Sequence, residues 1–142
     1  MTSHSIALMT DSTCDIPAEW IKQYDITVVP LSIIFGDQIY REGIDITAQE
    51  FYERLPGDPH HPTTSQPAPK AFLQAYQQAA ANGASEILVI TISSAMSGTI
   101  QSARTAAQDS PIPVHILDGK NNSMGLGWQV IAAARARESG SS

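Results

Sequence analysis

Side chains with hydroxyl groups are concentrated in turns at the ends of apolar segments. Three such turns follow apolar segments, at residues 10–13, 93–99 and 118–123, and a fourth cluster, Thr63-Thr64-Ser65, precedes a predicted helix. Hydroxyls and free backbone N–H groups at helix amino termini suit a carboxylate or a phosphate, and Gly98 lets the backbone approach such a group closely. If these segments converge, the sequence predicts a small-anion site that is rich in hydroxyls and poor in acids and bases. Serine and threonine are also the usual helix caps, so a purely structural role for each cluster stays open.

The residue types that could support catalysis or metal binding occur without the partner residues that such sites need. Cys14 follows a strand with no histidine implied beside it, and we interpret it as a structural thiol. His60-His61 lies in a proline-bounded loop without a third ligand, which is typical of solvated histidines. Ser97 is not enclosed in a G-x-S-x-G turn, since Ala95 and Thr99 occupy the flanking positions. The sequence therefore predicts binding without catalysis, and no catalytic residue, metal ligand or cofactor.

Apolar, β-branched segments alternate with amphipathic segments along most of the chain. Strands are predicted at residues 6–9, 26–35, 38–41, 87–92 and 113–117, and helices after residue 15 and at 48–55, 72–81, 99–108 and 124–138. This alternation predicts an α/β fold with a mainly parallel sheet that is flanked by helices on both faces. Right-handed crossovers place the strand-to-helix turns along one edge of the sheet, where ligands of such folds bind.

Three local signals set the boundaries of elements. Asp15 is expected to cap the first helix, because aspartate is a preferred residue at a helix amino terminus. Pro17 fits this start, because proline is tolerated in the first turn of a helix. Pro30 interrupts the segment 26–35 and suggests an edge strand or a bulge. Thr47 and Glu50 form a capping box, which predicts that a helix begins at residue 48.

The composition argues against several classes of partner. The 142 residues carry a formal net charge of -6 without a basic run, which disfavours nucleic acid and anionic membrane surfaces. No apolar stretch approaches the roughly 18 residues of a membrane span, and the segment 1–5 does not resemble a secretory signal. The single cysteine excludes an internal disulfide and fits a reducing compartment. We therefore expect a soluble cytoplasmic domain.

Several blocks of the sequence resemble the motifs of the DegV family, in the family's order and over nearly the whole chain. Residues 10–17 resemble its T-D-S-T-x-D-[IL] opening, and residues 64–69 resemble T-S-Q-P-[SA]. Residues 92–103 are similar to the S-S-x-L-S-G-T-Y-x-S-A motif. Further similarity lies in Val29-Pro30-Leu31-Ser32, in Gly43-Ile44-Asp45-Ile46-Thr47 with Phe51-Tyr52, and in Ser123-Met124-Gly125-Leu126-Gly127.

The resemblance implies a lipid-binding protein that is not itself an enzyme. DegV proteins bind one long-chain fatty acid, such as palmitate, and in some bacteria present its carboxylate to a fatty acid kinase, which connects them with phospholipid metabolism. By motif position, the resemblance implies that Thr64 of T-S-Q-P and Ser97 of the S-G-T turn hold the carboxylate. Ser65 and Ser94 are expected as neighbours of this site, and Asp11 as a residue that orients its hydroxyl network.

The resemblance also implies an organisation in two domains, of which this sequence matches the amino-terminal one. Family members are about twice as long, and their carboxyl-terminal domain covers the acyl chain and contributes to the head-group site. We expect residues 1–138 to form the amino-terminal DegV domain, residues 139–142 to be a linker or a truncated end, and the carboxyl-terminal domain to be absent, as in a fragment or a short variant. An uncovered groove would favour self-association. At Gly119 the chain departs from the family, in which serine usually follows the strand-end aspartate.

Two alternative functions stay open. An enzyme that acts on a small phosphorylated or carboxylated metabolite at the same edge would need a base, for which Asp11 and Asp118 are the candidates. An interaction module would instead dock a partner domain on an exposed face.

Overall fold

A computed structural model describes residues 5–140 of the chain. Its elements are β1 (Ile6–Asp11), a short 3-10 turn (Ser12–Cys14), α1 (Ala18–Gln23), β2 (Ile26–Val29), β3 (Ser32–Phe35), β4 (Gln38–Arg41), α2 (Ala48–Arg54), β5 (Thr63–Ser65), α3 (Pro69–Ala81), β6 (Glu86–Thr91), α4 (Thr99–Ala107), β7 (Val114–Asp118) and α5 (Ser123–Glu138). Most of the segment 1–5, for which no signal is expected, lies outside the described residues, as do the last two residues of the expected linker at 139–142. In the described range, no helix combines the length and the apolar character that crossing a membrane requires.

The larger sheet has four parallel strands in the order β2-β1-β6-β7. Its central strands, β1 and β6, are apolar over residues 6–9 and 87–90, because helices cover both of their faces there. Leu8 of β1 belongs to a hydrophobic cluster with Val130 and Ile131 of α5. The next residue, Met9, belongs to the other cluster, with Phe72 and Tyr76 of α3. Successive side chains of a strand point to opposite faces, so β1 contributes to two separate hydrophobic clusters. The predicted α/β fold, with a parallel sheet between helices, is confirmed.

A second, antiparallel sheet has the strand order β4-β3-β5. The segment 26–35 forms two strands instead of one, because β2 ends at Val29 in the parallel sheet and β3 begins at Ser32 in the small sheet. Pro30 lies between them and has no N–H group to donate to a ladder. The prediction of one interrupted strand is therefore wrong, and the chain passes from one sheet to the other at this proline. The small sheet has its own hydrophobic cluster, formed by Ile33, Phe35 and Ile46 with Tyr40 and Phe51 packed against it.

The two predicted caps have different outcomes. Thr47 caps α2 as expected, since its Oγ1 accepts a 3.1 Å hydrogen bond from the backbone N–H of Glu50. Asp15 does not cap α1, which begins after Pro17 without a side-chain cap bond. Asp15 adopts a left-handed conformation with φ of 51°, and its carboxylate accepts a 2.5 Å bond from the hydroxyl of Ser123. The prediction failed because a partner distant in sequence takes the carboxylate that the local pattern assigns to the helix.

Candidate ligand-binding site

A cavity of about 480 Å³ lies between the two sheets, at the carboxyl-terminal edge of the parallel sheet. The lining includes residues that follow β1 and β6 of the parallel sheet. The small sheet contributes Thr64 of β5 and residues next to the ends of β3, β4 and β5. The lining consists of Thr13, Leu31, Glu42, Thr64, Gln66, Ile92, Met96, Ser97 and Gly98. This is the edge at which the alternation of strands and helices predicts a ligand site.

Thr64 reaches the cavity from the edge strand of the small sheet. It pairs with Ile33 of β3, and side chains that are directly opposite in a ladder share one face. Ser65 pairs with Ser32, so its side chain points to the other face, and it is not among the residues that line the cavity. The following helix α3 begins at Pro69 after Ala68. Because Thr64 and Ser65 lie in β5, their interpretation as helix caps is wrong.

Ser97 reaches the same cavity from the turn that joins β6 to α4. Its hydroxyl lies 2.9 Å from the hydroxyl of Thr99 and accepts a 3.3 Å bond from the backbone N–H of that residue. The turn approaches the small sheet closely, because a Cβ atom on Gly98 would lie 2.8 Å from the side-chain amide of Gln66. Glycine at this position therefore allows the serine turn to lie directly against the strand that carries Thr64. Ser97 therefore bonds the backbone at the start of α4 and also lines the cavity, and its role as a ligand contact stays a prediction.

Asp11 lies behind the cavity wall, fully buried at the end of β1. One carboxylate oxygen accepts from the N–H of Thr13 at 2.9 Å and from its hydroxyl at 2.5 Å. The other oxygen accepts from the N–H of Ile92 at 2.7 Å. Thr13 and Ile92 both line the cavity, so Asp11 joins two of its walls without lining it.

Ser94 lies outside the lining and bonds a different partner. Its hydroxyl donates to Asp118 at 2.5 Å, and its N–H donates to the same carboxylate at 3.2 Å. The hydroxyl of Ser94, helped by the backbone N–H of Lys120, holds the pKa of Asp118 below its usual value. The predicted turn at residues 118–123 is therefore hydrogen-bonded to the turn at residues 93–99. Within residues 5–140, it contributes no residue to the lining of this cavity.

Glu42 and Gln66 are lining residues that the sequence analysis did not single out. Glu42 is half-buried, and its Oε2 accepts a 2.6 Å bond from the hydroxyl of Ser12. Burial raises the pKa of Glu42, Asp15 and Asp11 act in the same direction, and the bond from Ser12 opposes them. Gln66 belongs to the T-S-Q-P motif, which could have indicated it. No local signal indicates Glu42, because its position depends on the pairing of the small sheet.

A second cavity of about 340 Å³ shares Glu42 with the first and is largely apolar. Its lining consists of Ser12, Cys14, Asp15, Ile16, Ile21, Val28, Pro30, Glu42, Gly43, Ile44 and Ala48. Burial raises the pKa of the Cys14 thiol to about 11, which leaves it protonated and unreactive at neutral pH. Among the described residues, neither lining contains lysine, arginine or histidine. Residues 5–140 also contain no cluster of three or more side chains suited to holding a metal ion.

An α/β domain with a hydroxyl-lined cavity between two sheets has the features of a small-ligand-binding protein. The model of the DegV family, which describes its members as uncharacterised proteins, matches residues 5–142, and the chain belongs to this family. A DegV domain-containing protein of Deinococcus radiodurans is 41% identical over 138 residues, which cover 97% of this chain and 49% of the relative. The chain thus spans about half the length of the curated relatives it matches.

Solved structures of DegV proteins share the fold. One is described as fatty acid binding of a DegV family protein from Thermus thermophilus, and it matches 96% of this chain and 49% of its own with a TM-score of 0.87 and 38% identity. Another is a stearic acid-binding protein from Eubacterium ventriosum, with a TM-score of 0.90, 30% identity and the same coverage of 96% and 49%.

Proposed function

We propose that the protein binds one long-chain fatty acid and holds its carboxylate with the hydroxyls of Thr64 and Ser97. The observation that carries this proposal is that Thr64, from β5 of the small sheet, and Ser97, from the turn after β6 of the parallel sheet, line one cavity. The relatives from Thermus thermophilus and Eubacterium ventriosum, which bind fatty acids, support the ligand class. The protein acts in this proposal as a carrier without catalytic activity of its own.

Neutral donors are suited to a ligand that must be held and released. Each hydroxyl donates one hydrogen bond to a carboxylate, and the positive end of α4 adds a favourable field next to Ser97. Leu31, Ile92 and Met96 supply apolar surface beside these donors. The first methylene groups of an acyl chain would contact this surface, which a small hydrophilic metabolite would not use.

Extraction and titration of the full chain test the carrier function. Mass spectrometry of an organic extract should find a stoichiometric long-chain fatty acid such as palmitate or stearate. Thr64→Val and Ser97→Ala each remove a hydrogen bond to a charged group, which is worth about 1.5 kcal/mol or more, so each should weaken Kd for palmitate at least about tenfold. Thr63→Val is the matched control, since Thr63 lies on the same strand but with its side chain on the opposite face.

Two results would contradict these assignments. Unchanged palmitate affinity in the double variant would reject the two hydroxyls as the head-group site. The absence of any bound or titratable fatty acid would reject the carrier function for this chain.

Presentation of the ligand to a fatty acid kinase is the second part of the proposal. A carboxylate held by hydroxyls near the mouth of an open cavity is accessible to a phosphoryl donor that a partner enzyme brings. Incubation of the palmitate-loaded protein with a fatty acid kinase and ATP should produce acyl phosphate faster than the same concentration of free palmitate. Equal rates would reject presentation while leaving lipid binding intact.

The aspartates required by the alternative, metabolite-modifying enzyme are poorly placed as bases. Both oxygens of Asp11 accept hydrogen bonds from Thr13 and Ile92, and its carboxylate does not line the cavity. The lowered pKa of Asp118 makes it a weaker base, and its oxygens are bonded to Ser94. These contacts favour the carrier over the enzyme.

A further inference from the structure

Glu42 brings a carboxyl group to the wall of the cavity in which the hydroxyls lie. Ser32 pairs with Arg41 on one side and with Ser65 on the other. Beyond the end of this ladder, the backbone N–H of Glu42 donates a 2.8 Å bond to the carbonyl of Leu31, and Gln66 follows Ser65 on the other side. Leu31, Glu42 and Gln66 all line the cavity together with Thr64. An acidic side chain therefore belongs to the wall that would receive an acidic ligand.

One hydrogen bond fixes the position of the Glu42 carboxyl group. The hydroxyl of Ser12 donates to its Oε2 at 2.6 Å and itself accepts a 2.9 Å bond from the N–H of Leu31. Ser12 belongs to the turn that follows β1, so its hydrogen bond holds the Glu42 carboxyl group against this turn. This bond engages one of the two carboxyl oxygens and can be made by a charged or a neutral carboxyl group.

The charges around Glu42 have the same sign as its own. The other acids that act on it are Asp11 behind the wall and Asp15 in the second cavity, and the thiol of Cys14 in that cavity is protonated at neutral pH. The strands β3 and β5 and the turn before α4 face Glu42 with uncharged lining residues. Arg41, the nearest cation in sequence, is paired with Asp45 at 3.0 Å. A ligand carboxylate in this cavity would thus add a further negative charge where the described lining offers no cation.

We propose that Glu42 takes up one proton when the ligand carboxylate binds, and that this residue makes the affinity for the fatty acid depend on pH. This inference rests on the proposed fatty-acid function. Two carboxylates that share one cavity whose described lining has no cation repel each other, and a shared proton turns this repulsion into a hydrogen bond. Half-burial already biases Glu42 toward its neutral form. The affinity then falls as pH rises from the pKa of Glu42 in the free protein to its higher pKa in the complex, by up to about tenfold per pH unit.

Calorimetric titration of the full chain with palmitate tests this coupling. Titrations between about pH 6.5 and pH 8.5, in two buffers of different ionisation enthalpy, give Kd and the number of protons taken up. We expect proton uptake by the unmodified chain that is largest, approaching one per ligand, at pH values between the pKa of Glu42 in the free protein and its pKa in the complex. In Glu42→Gln the uptake should vanish, and Kd should be at least about tenfold tighter than in the unmodified chain at the highest pH.

Three controls separate the coupling from general charge and from folding. Glu19→Gln makes the same charge change at an exposed position of α1 and should keep the proton uptake. Hexadecanol, which has the same chain without a carboxyl group, should bind without proton uptake to the unmodified chain. Ser12→Ala removes the bond that opposes the rise in the pKa of Glu42, so its affinity profile should move to higher pH. Circular dichroism confirms that each variant is folded, and an amide oxygen at residue 42 can still accept the Ser12 bond.

The possible results lead to different conclusions. Proton uptake that persists in Glu42→Gln, or an affinity of the unmodified chain that does not vary with pH beyond the ionisation of palmitate itself, overturns the role of Glu42 and leaves the carrier function standing. If neither the unmodified chain nor the Glu42→Gln variant binds palmitate at any pH, the carrier function is overturned, and the role of Glu42 with it.

Discussion

The substitution Asp11→Asn tests how the buried end of β1 holds the cavity together. The carboxylate of Asp11 is fully buried and accepts bonds at two separate oxygens, from Thr13 on one side and from Ile92 on the other. Asparagine has nearly the same shape but only one accepting oxygen. If that oxygen keeps the two bonds of Thr13, the amide NH₂ group is turned toward the N–H of Ile92, and two donors then face each other.

The expected loss follows from these bonds. The N–H of Ile92 would lose its 2.7 Å acceptor inside the protein, which costs about 1–3 kcal/mol for an unsatisfied buried group. The bonds of Thr13 would remain but would no longer end on a charged acceptor, which adds roughly 0.5–1 kcal/mol. We expect Asp11→Asn to lower the free energy of unfolding by about 1.5–4 kcal/mol, a large share of the roughly 5–15 kcal/mol typical of a domain.

Urea denaturation followed by circular dichroism measures this loss directly. Asp109→Asn, at an exposed position after α4, is the matched control and should change the free energy of unfolding by less than about 0.5 kcal/mol. Amide hydrogen exchange at Ile92 supplies a local readout, because protection there should decrease more than at residues of the small sheet. A loss below about 1 kcal/mol, or unchanged protection of Ile92, would refute the argument that Asp11 fastens β1 to β6.

Two further predictions concern the turn after β7. Gly119→Ser introduces the residue usual in the family, but a Cβ atom at this position would lie 2.6 Å from the backbone oxygen of Thr91. We therefore expect the free energy of unfolding, measured by urea denaturation, to fall by about 1–3 kcal/mol. A stabilised variant would contradict this close contact. The pKa of Asp118 is lowered in the folded protein, chiefly by Ser94, so this carboxylate adds stability above its unfolded pKa that is lost as pH falls through the folded value. Ser94→Ala should therefore reduce the decline in unfolding free energy between about pH 5 and pH 3, and an unchanged acid profile would count against the bond.

The sequence predicted those elements whose signals are local. The apolar run of residues 87–92 corresponds to β6, and Thr47 marks the start of α2, because burial on two faces and a capping bond each leave a short-range pattern. Thr64 and Ser97 were indicated by motif position, and the structure brings both to one cavity. Their role as ligand contacts remains a prediction that the titrations above will test.

The small sheet was predicted only in part. The strand expected at residues 38–41 is confirmed as β4, and β3 lies within the segment expected to be a strand at 26–35. β5 was missed because its three residues are all exposed and polar, so no hydrophobic alternation marks it. The place of Glu42 depends on the register between β3 and β4, and the carboxylate of Asp15 bonds a serine 108 positions away. Such features are set by the packing of distant segments, which a local pattern does not contain.

The division of the chain at Pro30 has a mechanical consequence. The two sheets have separate ladders and separate hydrophobic clusters, and in residues 5–140 no strand of one sheet pairs with a strand of the other. The cavity lies along this seam, where the hydroxyl of Ser12 ties the turn after β1 to Leu31 and Glu42. Opening the seam would break no ladder hydrogen bond. The sheets are held together there by the Ser12 bonds, by side-chain packing and by two chain connections, at Pro30 and at residues 66–68 between β5 and α3, so the width of the cavity depends on these few links and not on either ladder.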